Sequence, residues 1–189
     1  MRMHVPSLLA YVFALAVLGM FGCQDLIRLD AARFQPGIST PELAGYKGKA
    51  VVMRKFENVD DSTTVVSYRG NGRRYGGPVL TSYFWNCFRE GFERLGVSVY
   101  DEAGAPVGVE APILDVRLVR IDESAYQVTV GLQGGATAAP FRKPFSVAGP
   151  RATTSDVAAL QARAYDMMNA LFVTMARDAE FKAAFAGAR

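Results

Sequence analysis

The chain has 189 residues, 50% of them hydrophobic, and carries 21 Lys and Arg against 18 Asp and Glu. This balance lacks the strong positive charge of a nucleic-acid-binding domain, so we expect no nucleic acid as a partner. The single histidine, His4, lies near the N-terminus, outside any domain that follows. Histidine is the commonest general base and metal ligand. We therefore expect no catalytic, cofactor-binding or metal site, and not an enzyme.

The N-terminal segment is typical of an export signal. A run of 14 uncharged residues, 8–21, follows Arg2, whereas a membrane-spanning helix needs about 20 apolar residues. The junction at residues 18–23, LGMFGC, resembles the bacterial lipobox. The resemblance implies that residues 1–22 form a lipoprotein signal peptide, and that Cys23 is lipidated and anchored through its acyl chains. An ordinary secretory signal or an uncleaved anchor is the alternative.

Location follows from the same resemblance. The chain is expected in the cell envelope, lipid-anchored and facing the periplasm. Gln24 rather than Asp after the lipidated cysteine favours the outer membrane over the inner membrane.

Residues 23–48 lack a steady apolar period and contain two prolines and three glycines: Pro36, Pro41, Gly37, Gly45 and Gly48. This composition predicts a flexible, lipid-anchored tether, which could extend for at most about 80 to 90 Å. Leu26, Ile27 and Leu29 could instead add a short strand to the domain. Residues 49–189 then form the folded domain.

The first half of that domain contains a predicted strand and a predicted helix. Residues 50–56 are apolar and β-branched at their start, and residues 57–64 form a polar loop. A segment rich in glycine and arginine, 70–77, precedes Pro78, which suits the first turn of a helix. Apolar residues then recur at helical spacing until Gly96, where we expect the helix to stop.

The second half contains a meander and a second helix. Apolar residues alternate along 114–119 and 126–133, which predicts a hairpin with one face in water. A further strand around Pro144 belongs at a sheet edge or a bulge. We expect Ser155 to cap a long helix and Asp178 to cap a short last one. The order β-α-β-β-β-β-α predicts an α+β two-layer sandwich, with two helices on one face of a mostly antiparallel sheet of about four to five strands.

Three phrases carry a resemblance to known families: "REGFERLGVSVYD" at 89–101, "AYQVTVGL" at 125–132 and "RDAEFKAAF" at 177–185. With the lipobox and the order of elements, they resemble the YajG-type envelope lipoproteins. The layout is also similar to the PqiC-like auxiliary lipoproteins of ABC-type lipid transporters. The resemblance implies a fold and a location and supplies no catalytic residue.

The candidate chemical sites each have a plain alternative. Arg73 and Arg74, in a glycine-rich loop before a helix, could bind an anion such as phosphate or a lipid head group, or the loop could simply be solvated. Cys87 without a histidine is expected to be a buried thiol rather than a nucleophile. The acidic pairs at 60–61, 101–102 and 122–123 are expected to be solvated loop ends.

Trp85 and Phe92 lie together at the margin of the apolar stripe of the first helix. Either the C-terminal helix covers them, or they contact a protein or lipid partner. We expect a non-enzymatic binding or accessory component of an envelope transport or maintenance complex. The alternative is a carrier domain for a lipid or small molecule.

Overall fold

The computed structural model describes residues 26–39, 44–58, 65–68, 71–76, 80–108, 111–134, 140–149, 153 and 156–186, with the backbone alone at 26, 65–68, 71–74 and 76. The described strands are β1 (Leu26–Arg28), β2 (Ala50–Met53), β3 (Glu57–Asn58), β4 (Val65–Tyr68), β5 (Asn71–Gly76), β6 (Ser98–Asp101), β7 (Ile113–Ile121), β8 (Ala125–Gln133) and β9 (Phe141–Ala148). The helices are α1 (Leu80–Arg94), α2 (Val157–Arg177) and α3 (Ala179–Ala186), with a 3-10 helix at Ala31–Arg33.

The central sheet has the strand order β6-β2-β7-β8-β9, and β3 pairs with β7 beside this path. Strands β7, β8 and β9 are antiparallel, whereas β2 runs parallel to both β6 and β7. The α+β class is confirmed, but the sheet is mixed and has more strands than expected. The parallel half arises because α1 lies between β2 and β6 in the chain, and a helical crossover permits parallel pairing.

The sheet has an apolar inner face and a polar outer face, as the period-two pattern predicts. Val116, Val130 and Val128 are buried on the inner face, where the helices pack. Phe84 of α1 lies 5.5 Å from Tyr126 of β8, and Phe181 of α3 lies 6.4 Å from Phe145 of β9, measured between ring centroids.

Strand β9 is an edge strand, as predicted from Pro144. Gly149 donates its N–H to Ser124 O of the β8 side, at 2.9 Å. Because the direction of the N–H alternates along a strand, position 144 faces the free edge, where a proline removes no ladder hydrogen bond.

The predicted tether is wrong for residues 26–39 and 44–48. Ile27, Phe34 and Tyr46 are almost fully buried, at 0%, 1% and 0% exposure. The Tyr165 hydroxyl of α2 accepts a hydrogen bond from Asp30 N at 3.0 Å. The only regular elements that the structure describes in this segment are β1 and the 3-10 helix at Ala31–Arg33, and its large apolar residues are nonetheless buried in the domain. The alternative of a short strand at residues 26–29 is confirmed by β1.

A second, three-stranded sheet has the order β1-β5-β4. Its middle strand β5 is the segment predicted as a loop at 70–77, and this prediction is wrong for Asn71–Gly76. Strand β5 pairs antiparallel with β4 and parallel with β1. Its sequence, NGRRYG, contains no β-branched residue, so local propensity gave no indication of a strand.

The helix ends follow their caps. Gly96 has a φ of +77° and closes α1, as predicted. Asp156 caps α2 by accepting a hydrogen bond from Ala159 N at 3.0 Å, so the prediction of Ser155 as the cap is wrong; Ser155 lies outside the described residues. Asp178 caps α3 by accepting one from Phe181 N at 2.9 Å, as predicted.

Candidate functional site

Trp85 and Phe92 occupy different environments, although both lie on α1. Phe92 is fully buried and stacks on Phe185 of α3 with a centroid distance of 5.6 Å. It also meets the ring of Phe172 in α2 edge-on, at 5.4 Å. Phe92 is therefore a core residue covered by the C-terminal helices, and it is not exposed to a protein or lipid partner. Trp85 is half-buried.

Trp85 lies in a groove of about 480 Å³ between the first turns of α1 and the ends of β2 and β6. This volume is within the range of small-molecule sites. Met53 and Phe56 form a buried apolar floor, and Trp85 forms one wall. The groove is lined by Met53, Lys55, Phe56, Thr81, Ser82, Trp85, Asn86, Asp101, Glu102 and Ala103.

The rim of the groove is polar. Glu102 forms an ion pair with Arg54 at 3.0 Å, and Asn86 donates a hydrogen bond to Ser82 O at 2.8 Å. Asp101, the partner of Glu102 in one predicted acidic pair, is also on the rim and accepts from Gly104 N. An apolar floor with an aromatic wall and a polar rim suits an apolar side chain or acyl group whose neighbouring atoms form hydrogen bonds.

Sequence reasoning identified Trp85 but missed the other residues of the groove. The sequence contained one indication of the groove, a polar patch around a tryptophan near the start of α1, formed by Thr81, Ser82 and Asn86. Met53 and Phe56 precede α1 by more than 20 residues, so only tertiary packing brings them to this helix, where the ring of Phe56 lies 5.3 Å from that of Phe88.

The outer face of the sheet holds a smaller depression of about 220 Å³. Two ion pairs line it: Arg117 with Glu57 at 2.9 Å, and Arg142 with Asp115 at 3.3 Å. Asp115 reaches Arg142 across β8 only because Gly131 lies between them, where a Cβ would be 2.5 Å from Asp115 Oδ2. The arginine side chains are about half exposed, so each pair contributes little stability.

The buried titratable groups do not form a nucleophilic site. Burial raises the pKa of the Cys87 thiol to about 12 and also raises the pKa of the nearby Tyr83 hydroxyl. Cys87 is fully buried and free of any disulfide, which confirms the prediction of a core thiol. The hydroxyls of Tyr83 and Tyr126 are also buried, near the Cys87 thiol and the Tyr75 hydroxyl respectively.

The remaining candidate residues have structural roles or lie outside the residues that the structure describes. Asp122 shapes the β7–β8 turn: burial would raise its pKa, but hydrogen bonds from Ser124, Arg120 and Ala125 N lower it overall. Arg73 and Arg74 belong to β5, where only the backbone is described. Cys23 and the acidic pair at 60–61 lie outside the described residues. Within the described ranges, no group of three or more His, Cys, Asp or Glu side chains could hold a metal ion.

None of the described helices is both long and apolar enough to cross a membrane.

No protein-family model and no curated protein matches the sequence. Among solved structures, the chain is similar to a Xanthomonas campestris protein of family DUF330, with a TM-score of 0.54 and 14% identity over 76% of this chain and 88% of that one. A structure described as an uncharacterized protein has a TM-score of 0.49 and 14% identity, over 69% and 92% of the two chains. The similarity to the Xanthomonas campestris protein shows a shared fold.

Proposed function

We propose that this chain, whose fold is similar to that of a DUF330 protein, is a membrane-anchored envelope lipoprotein that binds a partner without chemistry. The groove at Trp85 is the binding site. The export signal, the lipobox at Cys23 and the resemblance to YajG-type and PqiC-like lipoproteins support the location and the accessory role. The domain faces the periplasm, from the outer membrane rather than the inner.

The observation that carries this proposal is the exposure of Trp85 above a buried apolar floor. A half-buried tryptophan beside Met53 and Phe56 leaves apolar surface in contact with water, and a partner side chain entering the groove would remove that surface from water. Burial of apolar surface contributes about 25 cal/mol per Å², and tryptophan is among the residues most enriched at binding hot spots.

Binding can be tested by recovering partners from gently solubilised membranes with the intact chain. We expect Trp85→Ser to reduce partner recovery about tenfold, which corresponds to about 1.4 kcal/mol. Val119→Ser is the matched control, because Val119 is an exposed apolar residue on β7, outside the groove. Equal recovery with both variants, at unchanged thermal stability, would exclude the groove as the partner site.

A carrier function is the second candidate, favoured by the groove volume of about 480 Å³. Under this function the same purification yields lipid or a small molecule in place of a protein. Mass spectrometry of organic extracts from the wild-type chain and from Trp85→Ser distinguishes the two functions: a compound present only with the wild type favours the carrier.

The anchor is tested separately with Cys23→Ser. We expect this variant to be lost from the membrane fraction, because two or three acyl chains give stable anchoring where one gives marginal binding. Continued processing and membrane association would contradict lipidation.

A further inference from the structure

The small sheet places the start of the described chain beside two consecutive arginines. Leu26 of β1 has Arg74 of β5 as its Cα partner, and Arg28 has Gly76. Arg73, one residue before, pairs with Val66 of β4 on the other side. The sequence separates these arginines from Leu26 by more than 40 residues, so their proximity is a product of the fold alone.

Strand β1 is fixed to the domain and leaves little free chain before it. Ile27 is fully buried, and the Arg28 carbonyl accepts a hydrogen bond from Gln161 of α2 at 2.6 Å. Cys23 precedes Leu26 by three residues, which span at most about 11 Å in any conformation. Paired strands lie about 4.8 Å apart. The Cα of Arg74 therefore lies within about 16 Å of the Cα of Cys23.

We infer that the β1 edge of the small sheet, with β5 next to it, lies against the anionic head groups of the membrane that holds the acyl chains of Cys23. This inference rests on the proposed lipidation. The domain is then held at the bilayer surface in one orientation, with its N-terminal end towards the lipid, instead of at the end of a long tether.

The charges near this edge favour the same partner. Arg28 and Arg33 are exposed, and Arg73 and Arg74 add two more positive charges. Asp30 opposes these arginines, and Arg163, Glu123 and Asp122 act electrostatically on Tyr75 of β5. Five arginines against three carboxylates leave an excess of two positive charges. A basic residue near an anionic lipid surface contributes about 1 kcal/mol. Such an excess is small beside the energy of two or three acyl chains, so it sets the orientation of the domain rather than its membrane affinity.

The test measures how close two positions are to the lipid. The full chain is purified from membranes with one added cysteine, Ala32→Cys beside β1 or Glu180→Cys in α3, and labelled with a fluorophore. Both positions are exposed, and Cys87 is buried. Glu180 is the distant reporter. It follows the far end of α2, about 24 Å along the helix from Gln161, whose side chain donates a hydrogen bond to Arg28 O of β1. The protein is reconstituted in phosphatidylglycerol and phosphatidylethanolamine vesicles that carry a head-group quencher.

We expect quenching to be about twofold or more stronger at position 32 than at position 180, because of that separation along α2. Arg73→Glu with Arg74→Glu should reduce the difference in anionic vesicles, and high salt should do the same to the unmodified chain. Arg117→Glu with Arg142→Glu makes the same charge change on the outer sheet face and should leave the difference intact.

Equal quenching at the two positions would overturn the inference, and so would an effect of the outer-face variant equal to that of the β5 variant. The mass of the mature N-terminus separates this result from a failure of the proposed function. If Cys23 carries no acyl chains, both proposals fail. If it carries them and the quenching is equal, the orientation alone is wrong.

Discussion

Two aromatic residues, one in each half of α1, point in nearly the same direction from the helix axis and have opposite environments. Trp85 and Phe92 are seven residues apart, which brings them to within about 20° on an ideal helix. Phe92 is enclosed by aromatic rings from α2 and α3, whereas Trp85 borders an open groove. The difference shows that periodicity identifies the side of a helix that meets other elements. How far those elements extend along the helix decides which residues on that side are buried.

The cover over the C-terminal half of α1 comes from the end of the chain. Helix α3 brings Phe181 and Phe185 against Phe92, and Tyr46 from the N-terminal segment packs on the same two rings. The Tyr46 hydroxyl donates a hydrogen bond to Ala176 O at 2.8 Å. No such segment covers the first turns of α1 on the side of Trp85, within the described residues.

The strongest way to break this comparison is to remove Phe92. We expect Phe92→Ala to lower the free energy of unfolding by about 3 to 5 kcal/mol, because the cavity is surrounded by rings from two other helices. Chemical denaturation measures the change, and Phe92→Leu should retain much of the lost stability. A loss below about 1 kcal/mol would contradict the enclosed packing of this end.

A smaller effect is expected from the residue before it. A Cβ at Gly91 would lie 2.4 Å from Cζ of Phe172, so α2 approaches the backbone of α1 at this point. We expect Gly91→Ala to destabilise the domain by about 1 to 3 kcal/mol, despite the better helix propensity of alanine. The double variant with Phe172→Leu should recover part of the loss, measured in the same denaturation series. Net stabilisation by Gly91→Ala would mean that the two helices are farther apart.

Cys87 tests the middle of α1. Its pKa is raised to about 12 by burial, whereas a cysteine in an unfolded chain ionises near pH 8.5. The folded state therefore holds this proton more strongly, and the stability that it contributes is lost as pH rises above about 8.5. We expect the native thiol to resist labelling at pH 8 and to react fully in denaturant.

Cys87→Ala should cost only about 1 kcal/mol, for a small cavity, without loss of partner recovery. Rapid labelling of the native protein, or a stable variant that no longer binds, would show that the thiol is accessible or functional.

The smallest effect on stability is expected at the open end of α1. Trp85→Ser should lower the free energy of unfolding by about 1 kcal/mol or less, because a half-exposed side chain loses less burial than Phe92. Thermal melting of the Trp85 and Phe92 variants under one set of conditions measures the contrast directly. Equal destabilisation by the two variants would show that Trp85 is a core residue and would contradict the proposal that the groove is a binding site.

Much of the fold could be predicted because local patterns decide it. Alternation along β7 and β8 fixed the hairpin and its buried face, Pro144 marked the edge strand, and Asp178 marked the start of α3. In each case the signal lies within a few residues of the structure it predicts. Strand β5 and the N-terminal segment gave no such signal, since their order comes from partners distant in sequence.

The sequence by itself determined the α+β class, the apolar and polar faces of the sheet, the core position of Cys87 and the unusual place of Trp85 on α1. Tertiary structure alone decided that Phe92 is enclosed while Trp85 borders a groove, that β1 pairs with β5, and that Met53 and Phe56 form the floor beneath Trp85. The physical reason is the range of the interactions. Periodicity and capping act over one or two turns, whereas a groove exists only where elements distant in sequence pack together and leave a space between them.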